Sequence, residues 1–73
     1  MNKQFKSVRI NTANAKTLQQ LKGIGPKLAE KIIAYRKCNG PLLGLKDLTK
    51  IEGINHTLAK SIAPDISWRT EII

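Results

Sequence analysis

The apolar residues in the first half of the chain are spaced as in two short amphipathic helices. The first helix is predicted over about 15–21, because Asn14 in front of it is a favoured N-cap residue. The second is predicted from Pro26 to about Arg36, since proline fits the first turn of a helix. The apolar positions of each helix share one face: Leu18 and Leu21 on the first helix, and Leu28, Ala29, Ile32 and Ile33 on the second.

The second half of the chain repeats this arrangement after a connector over residues 38–44, which contains an Asn-Gly-Pro helix breaker. A third helix is predicted over about 46–50, and a fourth begins after Asn55 and is ended by Pro64. Their inward apolar positions are Leu48, Ile51, Leu58, Ala59 and Ile62. No segment has a convincing strand pattern, so we predict an all-α fold.

An internal repeat relates the two halves, because many residues recur thirty positions further along the chain. The identical pairs are Lys16 and Lys46, Leu18 and Leu48, Gly23 and Gly53, Ile24 and Ile54, Leu28 and Leu58, Ala29 and Ala59, and Ile32 and Ile62. Such periodicity marks a repeated supersecondary unit that cannot bury its apolar face alone. We therefore expect two pseudo-symmetric units packed as one domain over residues 10–64, with a basic, flexible arm over 1–9 and a C-terminal tail over 65–73.

The repeated glycines mark two tight turns, the first hairpin (residues 22–25) and the second hairpin (residues 52–55). Gly23 and Gly53 follow the last apolar residue of a helix, where a left-handed backbone is commonly needed. Gly25 and Asn55 then stand at the N-cap of the next helix, and both residue types are accepted there. The free N–H groups at such a helix start form a ready anion site, which predicts a phosphate ligand.

Lysines flank the first of these helix starts. Lys22 lies within the first hairpin and Lys27 lies in the first turn of the second helix, so both are predicted to contact phosphate. Lys31, one turn further on the same face, is either part of this phosphate-binding stripe or a solvated surface residue. The counterpart of Lys22 is Glu52, which would repel a phosphate, so we expect the second hairpin to be the weaker one.

The segment from Leu21 to Ala29, LKGIGPKLA, resembles a helix-hairpin-helix DNA-binding motif. A longer string resembles the ComEA-type competence DNA receptor: it runs from Ile10 through Arg36 and continues with Asn39 to Pro41 and Lys46 to Leu48. The resemblance covers about residues 8–63. It departs from the pattern in the second repeat, where Asn-His-Thr stands in place of Gly-Pro-Lys, and in the lack of a membrane anchor or signal peptide.

The resemblance implies a tandem helix-hairpin-helix domain that binds double-stranded DNA through its phosphates without sequence preference, as in DNA uptake. It also implies that a monovalent cation can be held by hairpin carbonyl groups, for which Leu21, Gly23 and Ile24 are compatible. Ile24 and Ile54 are interpreted as apolar plugs that hold the hairpin shape. The DNA-binding residues predicted in the two hairpins and helix starts are Lys22, Gly23, Ile24, Gly25, Lys27, Lys31, Gly53, Ile54, Asn55, His56 and Thr57.

Composition supports a small binding module. A net charge of +8 on 73 residues favours a polyanionic partner, such as nucleic acid or an acidic membrane surface. The single cysteine and single histidine, with five scattered acidic residues, offer no nucleophile–base pair, disulfide framework or metal cage, so we expect neither catalysis nor a bound metal cofactor. A helical protein–protein interaction module that keeps the fold without binding DNA is the alternative.

The sequence contains no apolar run that could span a membrane and no signal peptide at its start. As the chain stands we expect a cytoplasmic monomer; as a fragment of a competence receptor it would lie outside the cytoplasm. Its protein partner cannot be named from the sequence.

Overall fold

The computed structural model of the protein describes residues 8–69, which contain four α-helices. They are α1 (Ala15–Leu18), α2 (Pro26–Asn39), α3 (Leu45–Leu48) and α4 (His56–Ile62), and a 3-10 turn over Ala63–Asp65 follows α4. Two short strands, β1 (Val8–Arg9) and β2 (Ile66–Ser67), pair in parallel. Within the described residues, no helix is long and apolar enough to cross a membrane.

The helices α1 and α3 are shorter than predicted, because the chain tightens into a turn before each hairpin. The Gln20 N–H donates to the Thr17 carbonyl at 3.0 Å, and the equivalent Lys50 N–H donates to the Asp47 carbonyl at 3.1 Å. This three-residue spacing is that of a 3-10 turn, which commonly ends an α-helix. Both repeats therefore leave their first helix in the same way.

The helix α2 is longer than predicted, since it continues past Arg36 to Asn39. It ends where Gly40 adopts a φ of 89°, a conformation that glycine reaches without a steric penalty. The Asn-Gly-Pro sequence therefore does end the helix, but the helix includes Asn39 and stops at Gly40. The mostly helical architecture confirms the predicted fold class of two packed helix-hairpin-helix units.

The small parallel sheet was not predicted, because two-residue strands are too short to show an alternating pattern. It pairs Val8 with Ile66, and both side chains are buried. The last two residues of the predicted arm thus belong to the folded domain, while residues 1–7 of that arm lie outside the described residues. In the predicted tail, Trp68 packs against the core, and residues 70–73 lie outside the described range.

The core is built from matching positions of the two repeats. Each of these pairs is buried: Leu18 and Leu48, Leu21 and Ile51, Ile24 and Ile54, Ala29 and Ala59, and Ile32 and Ile62. Residues outside the repeat complete the core, namely Val8, Ile10, Leu42 and Ile66. The apolar stripes predicted from the sequence therefore meet in one shared interior.

The two repeats also interlock through their hairpin glycines. A Cβ added at Gly23 would lie 2.9 Å from Leu58 Cδ1, and one added at Gly53 would lie 2.7 Å from Leu28 Cδ2. Each glycine thus packs against a leucine of the opposite repeat, and these two leucines are themselves equivalent positions, thirty residues apart. The exchange is reciprocal, as a pseudo-twofold relation between the repeats requires.

Asn11 ties the connector and the C-terminal strand region to the first repeat. Its Nδ2 donates to the carbonyls of Leu42 at 3.0 Å and Trp68 at 3.2 Å, and its Oδ1 accepts the Leu42 N–H at 2.6 Å. Nearby, the Arg36 guanidinium donates to the Ile10 carbonyl at 2.9 Å. Desolvation by burial lowers the pKa of Arg36, but a guanidinium stays charged at neutral pH.

Candidate nucleic-acid interface

The two hairpins have nearly the same backbone. Gly23 and Gly53 adopt φ values of 87° and 99°. The Ile24 N–H donates to the Leu21 carbonyl at 3.0 Å, and Ile54 makes the equivalent bond to Ile51 at 3.0 Å. The left-handed glycines predicted from the sequence are therefore present, and they fold each turn back so that the following helix can begin.

The isoleucines at the hairpin tips point inward. Ile24 is 4% exposed and Ile54 is 3% exposed, which agrees with their interpretation as apolar plugs. Because the N–H groups of both residues are already bonded within the hairpins, neither residue presents a free donor. Both isoleucines therefore hold the hairpin shape, and neither offers a side chain or a free N–H at the surface.

The start of α2 is open. Gly25 is the N-cap with an extended backbone, it forms no side-chain cap bond, and a Cβ built there meets nothing within 4 Å. The first helical hydrogen bond runs from the Ala29 N–H to the Gly25 carbonyl at 2.9 Å. The N–H groups of Lys27 and Leu28 precede this bond and therefore lack a carbonyl acceptor within the helix. This end of a 14-residue helix can bind an anion.

The start of α4 is capped by the side chain of its N-cap residue, Asn55. Asn55 Oδ1 accepts the Leu58 N–H at 2.8 Å, as the N-cap role predicted for Asn55 requires. The helix that follows has only 7 residues, and no acidic residue, lysine or arginine stands in its first turn. One amide at the start of α4, that of Leu58, is thus bonded by a side chain, whereas the equivalent amide of Leu28 at the start of α2 is not.

The predicted cationic residues of the first repeat are all exposed to solvent: Lys22, Lys27 and Lys31. Lys31 Nζ lies 4.0 Å from Glu52 Oε1, so the structure brings a lysine of the first repeat against the second hairpin. Sequence reasoning missed this contact because the two residues are distant in the chain and only the packing of the repeats joins them. Glu52 was expected to repel phosphate, but its partner could not be inferred.

The remaining predicted residues lie on the surface of the second repeat. Asn55, His56 and Thr57 are exposed around the start of α4. Within residues 8–69, no cluster of three or more histidine, cysteine or acidic residues could hold a metal ion. The chemistry available at this surface is hydrogen bonding and charge, which suits an anionic polymer.

Each repeat consists of two helices joined by a hairpin whose tip is buried, and the repeats pack reciprocally through a glycine and a leucine. Together they define a tandem helix-hairpin-helix domain. A family model described as the helix-hairpin-helix motif matches residues 3–67. Since this match covers most of the chain, the protein belongs to the helix-hairpin-helix family.

Curated relatives share this domain within much longer proteins. ComE operon protein 1 of Bacillus subtilis is 43% identical over 60 residues, which cover 82% of this chain and 29% of that protein. Endonuclease/exonuclease/phosphatase family domain-containing protein 1 of Danio rerio is 38% identical over 75% of this chain and 10% of its own length. Kinesin-like protein KIF22 of Xenopus tropicalis is 44% identical over 63% of this chain and 7% of its own length.

The chain therefore spans less than a third of the length of each of these relatives. The similarity to ComE operon protein 1 confirms the resemblance to the ComEA type stated from the sequence. The other two relatives have different names, and the matched region is a tenth or less of the length of each.

Proposed function

We propose that this domain is a non-catalytic module that binds double-stranded DNA through its phosphates and without sequence preference. The observation that carries the proposal is the open first hairpin: an uncapped start of α2, with Lys22 and Lys27 exposed on either side of it. Free amides and a helix dipole favour an anion at this point. The adjacent lysines add the charge that neutralises a phosphate backbone.

The burial of the hairpin tips supports binding without sequence preference. Since the side chains of Ile24 and Ile54 are in the core, neither tip presents a side chain that could read a base edge. The groups left at the surface of the first hairpin are backbone amides and lysines, and contacts from such groups to phosphates position a protein without carrying base information. The net charge of +8 adds a general attraction to a polyanion.

The similarity to ComE operon protein 1 favours a place for the domain in competence-type DNA uptake. Because the chain covers 29% of that relative, we propose this role for the domain as part of such a process, with a location outside the cytoplasm if it belongs to a receptor. We propose that the domain itself acts as a monomer, which light scattering of the free protein and of the complex with a short duplex would check.

The proposal also includes a monovalent cation at the first hairpin. Backbone carbonyls suit a hard cation, and the Leu21 carbonyl keeps a lone pair beyond the one that accepts the Ile24 N–H. The carbonyls of Gly23 and Ile24 would complete the set. A difference in duplex affinity between potassium chloride and tetramethylammonium chloride of equal ionic strength would reveal the cation, and equal affinities would reject it.

The test of the proposed function is a fluorescence-anisotropy titration of random duplexes over a range of salt concentrations. A domain of this size can neutralise roughly three to five phosphates, so the slope of log K against log salt should be about −3 to −4.5. The Kd should be about micromolar at moderate salt and should change little when the duplex sequence is scrambled. A reproducible hundredfold preference for one sequence, or no binding at low salt, would contradict the proposal.

The alternative is a protein-interaction module with the same fold. One observation favours it: Leu43, in the connector between the repeats, is a large apolar side chain that is 70% exposed. The absence of duplex binding at low salt, with a folded protein by circular dichroism, is the outcome that this alternative predicts. Binding with the expected salt slope is the outcome that it does not.

A further inference from the structure

Positions 22 and 52 are structural equivalents, which makes their side chains directly comparable. The turns that contain them have left-handed glycines at the same place, and both bond the tip isoleucine at 3.0 Å. The Ala29 N–H and the Ala59 N–H bond the two N-cap carbonyls at 2.9 Å each. The backbone therefore presents residue 22 and residue 52 in the same way, but the first is a lysine and the second is a glutamate.

The Glu52 carboxylate is placed at the surface and not in the core. Its side chain is 90% exposed, and it lies 4.0 Å from the Nζ of Lys31, which is itself 44% exposed. Exposed pairs of this kind contribute little to the stability of a fold. The presence of the glutamate is therefore not explained by folding, and its effect must be sought on the surface that it shares with the second hairpin.

Glu52 changes that surface in two ways. It puts a negative charge where the first hairpin has Lys22, so a phosphate at the second hairpin would be repelled. It also compensates the charge of Lys31, which lies one turn from Lys27 on the exposed face of α2. One carboxylate thus removes both a possible phosphate contact at the second hairpin and part of the cationic stripe of the first repeat.

We propose that Glu52 limits the affinity of the domain for duplex DNA, by pairing with Lys31 and by keeping the second hairpin from binding a phosphate. This inference rests on the proposed function and names a residue that sets its strength. The domain then holds DNA mainly through the first hairpin and releases it more readily than a domain with two equal hairpins would.

The test compares the charge at position 52 with the same charge elsewhere. Glu52→Lys copies the first hairpin, and Asp65→Lys makes an identical change in net charge at an exposed residue beyond the far end of α4. About ten residues separate Asp65 from the start of α4, roughly 15 Å along a helix, which exceeds the screening length of about 10 Å at 0.1 M salt. Both sites are exposed, and circular dichroism checks that each variant keeps its helices.

We expect Glu52→Lys to bind random duplex at least about tenfold more tightly at 0.1 M salt, with the slope of log K against log salt steeper by about 0.9 to 1.8, because a phosphate contact is added at position 52 and Lys31 is freed for another. Asp65→Lys should change the Kd by at most about twofold, since its charge is screened from the hairpins. Glu52→Gln should give an intermediate gain. Lys31→Ala should weaken binding more in the Glu52→Gln background than in the parent, because only there is Lys31 free of its partner.

The outcomes separate this inference from the proposed function. If the parent binds DNA and Glu52→Lys binds no more tightly than Asp65→Lys, the inference is wrong and the DNA-binding function stands. If Glu52→Lys binds and the parent does not, Glu52 is limiting and the natural chain has another function. If no variant binds duplex at low salt, both proposals fail.

Discussion

At the scale of single residues, Gly25 offers a way to block the proposed phosphate site without disturbing the fold. Its backbone has φ of −96° and ψ of −172°, an extended conformation that suits a β-branched residue, and a Cβ there meets open space. Valine is a poorer N-cap residue than glycine, but it also lowers the conformational entropy of the unfolded chain, so Gly25→Val should change the unfolding free energy in urea by less than about 1 kcal/mol. It should weaken duplex binding by at least about 1 kcal/mol, roughly fivefold in Kd, because its side chain fills the approach to the amides.

Gly44 supplies the matched control for that variant. It is also the N-cap of a helix, it also lacks a side-chain cap bond, and a Cβ there also meets nothing within 4 Å. It lies in front of α3, outside both hairpins, so Gly44→Val should bind DNA like the parent. If Gly25→Val binds as well as Gly44→Val, the amides of the first hairpin are not the phosphate site and lysines alone carry the binding.

Lys27 tests the ranking of the two hairpins. Lys27→Glu should weaken duplex binding about tenfold or more and make the salt slope shallower by about 0.9, since it removes one phosphate contact. Thr57→Glu, at the equivalent position of α4, should have a much smaller effect. Lys37→Glu makes the same charge change on α2, about 15 Å further along the helix, and both residues are exposed.

These three variants are compared by anisotropy titration at one salt concentration and then over a range. Equal losses for Lys27→Glu and Thr57→Glu would mean that the repeats contribute equally. Equal losses for Lys27→Glu and Lys37→Glu would mean that overall charge, and not the hairpin, determines the affinity.

At the scale of elements, the helices could be predicted and the sheet could not. The apolar stripe of α2 and the N-cap residues Asn14 and Asn55 are local signals, and each marks an element that the structure contains. The pairing of Val8 with Ile66 is not local, because it joins segments from opposite ends of the domain. Nothing in either two-residue strand distinguishes it from a loop before the chain has folded.

Asn11 is the residue that joins these non-local elements, and its replacement should loosen them. Asn11→Ala leaves the buried Leu42 without its 2.6 Å N–H acceptor and removes the 3.2 Å bond to the Trp68 carbonyl. We expect a loss of about 1–3 kcal/mol of unfolding free energy in urea, the cost of an unsatisfied buried donor. Trp68 fluorescence should shift towards that of a solvent-exposed indole before the helices unfold.

Asn39 provides a control for Asn11, because its side chain donates to the Tyr35 carbonyl, four residues earlier on the same helix, at an exposed site. Asn39→Ala should change the unfolding free energy by less than about 0.5 kcal/mol, as surface substitutions usually do. Similar losses for the two variants would show that the network around Asn11 does not hold the strand region in place.

At the scale of the whole molecule, the repeat explains why so much of the fold followed from the sequence. The equivalence of Gly23 with Gly53 indicated two copies of one unit. Since one copy is too small to bury its own apolar face, a core shared by the two copies was expected. What the repeat could not predict is how the copies interlock. The contact of Gly53 with Leu28, and the approach of Lys31 to Glu52, depend on the angle between the units, which no spacing within one unit encodes.

A single repeat should therefore fail to fold alone. In a peptide of residues 8–43, Leu28 would lack its contact with Gly53. Leu18 and Ile32, which are buried in the full domain, would lack the second repeat that helps to cover them. An isolated 14-residue helix such as α2 is marginal in water. We expect weak helical circular dichroism at 222 nm and no sigmoidal urea transition, whereas the full chain should unfold cooperatively.

An equimolar mixture of this peptide with a peptide of residues 44–73 should regain helix, because the two halves supply each other's core. A cooperative transition in the isolated peptide would show that the repeats are independent units, and the reciprocal glycine–leucine packing would then be a consequence of folding and not a condition for it.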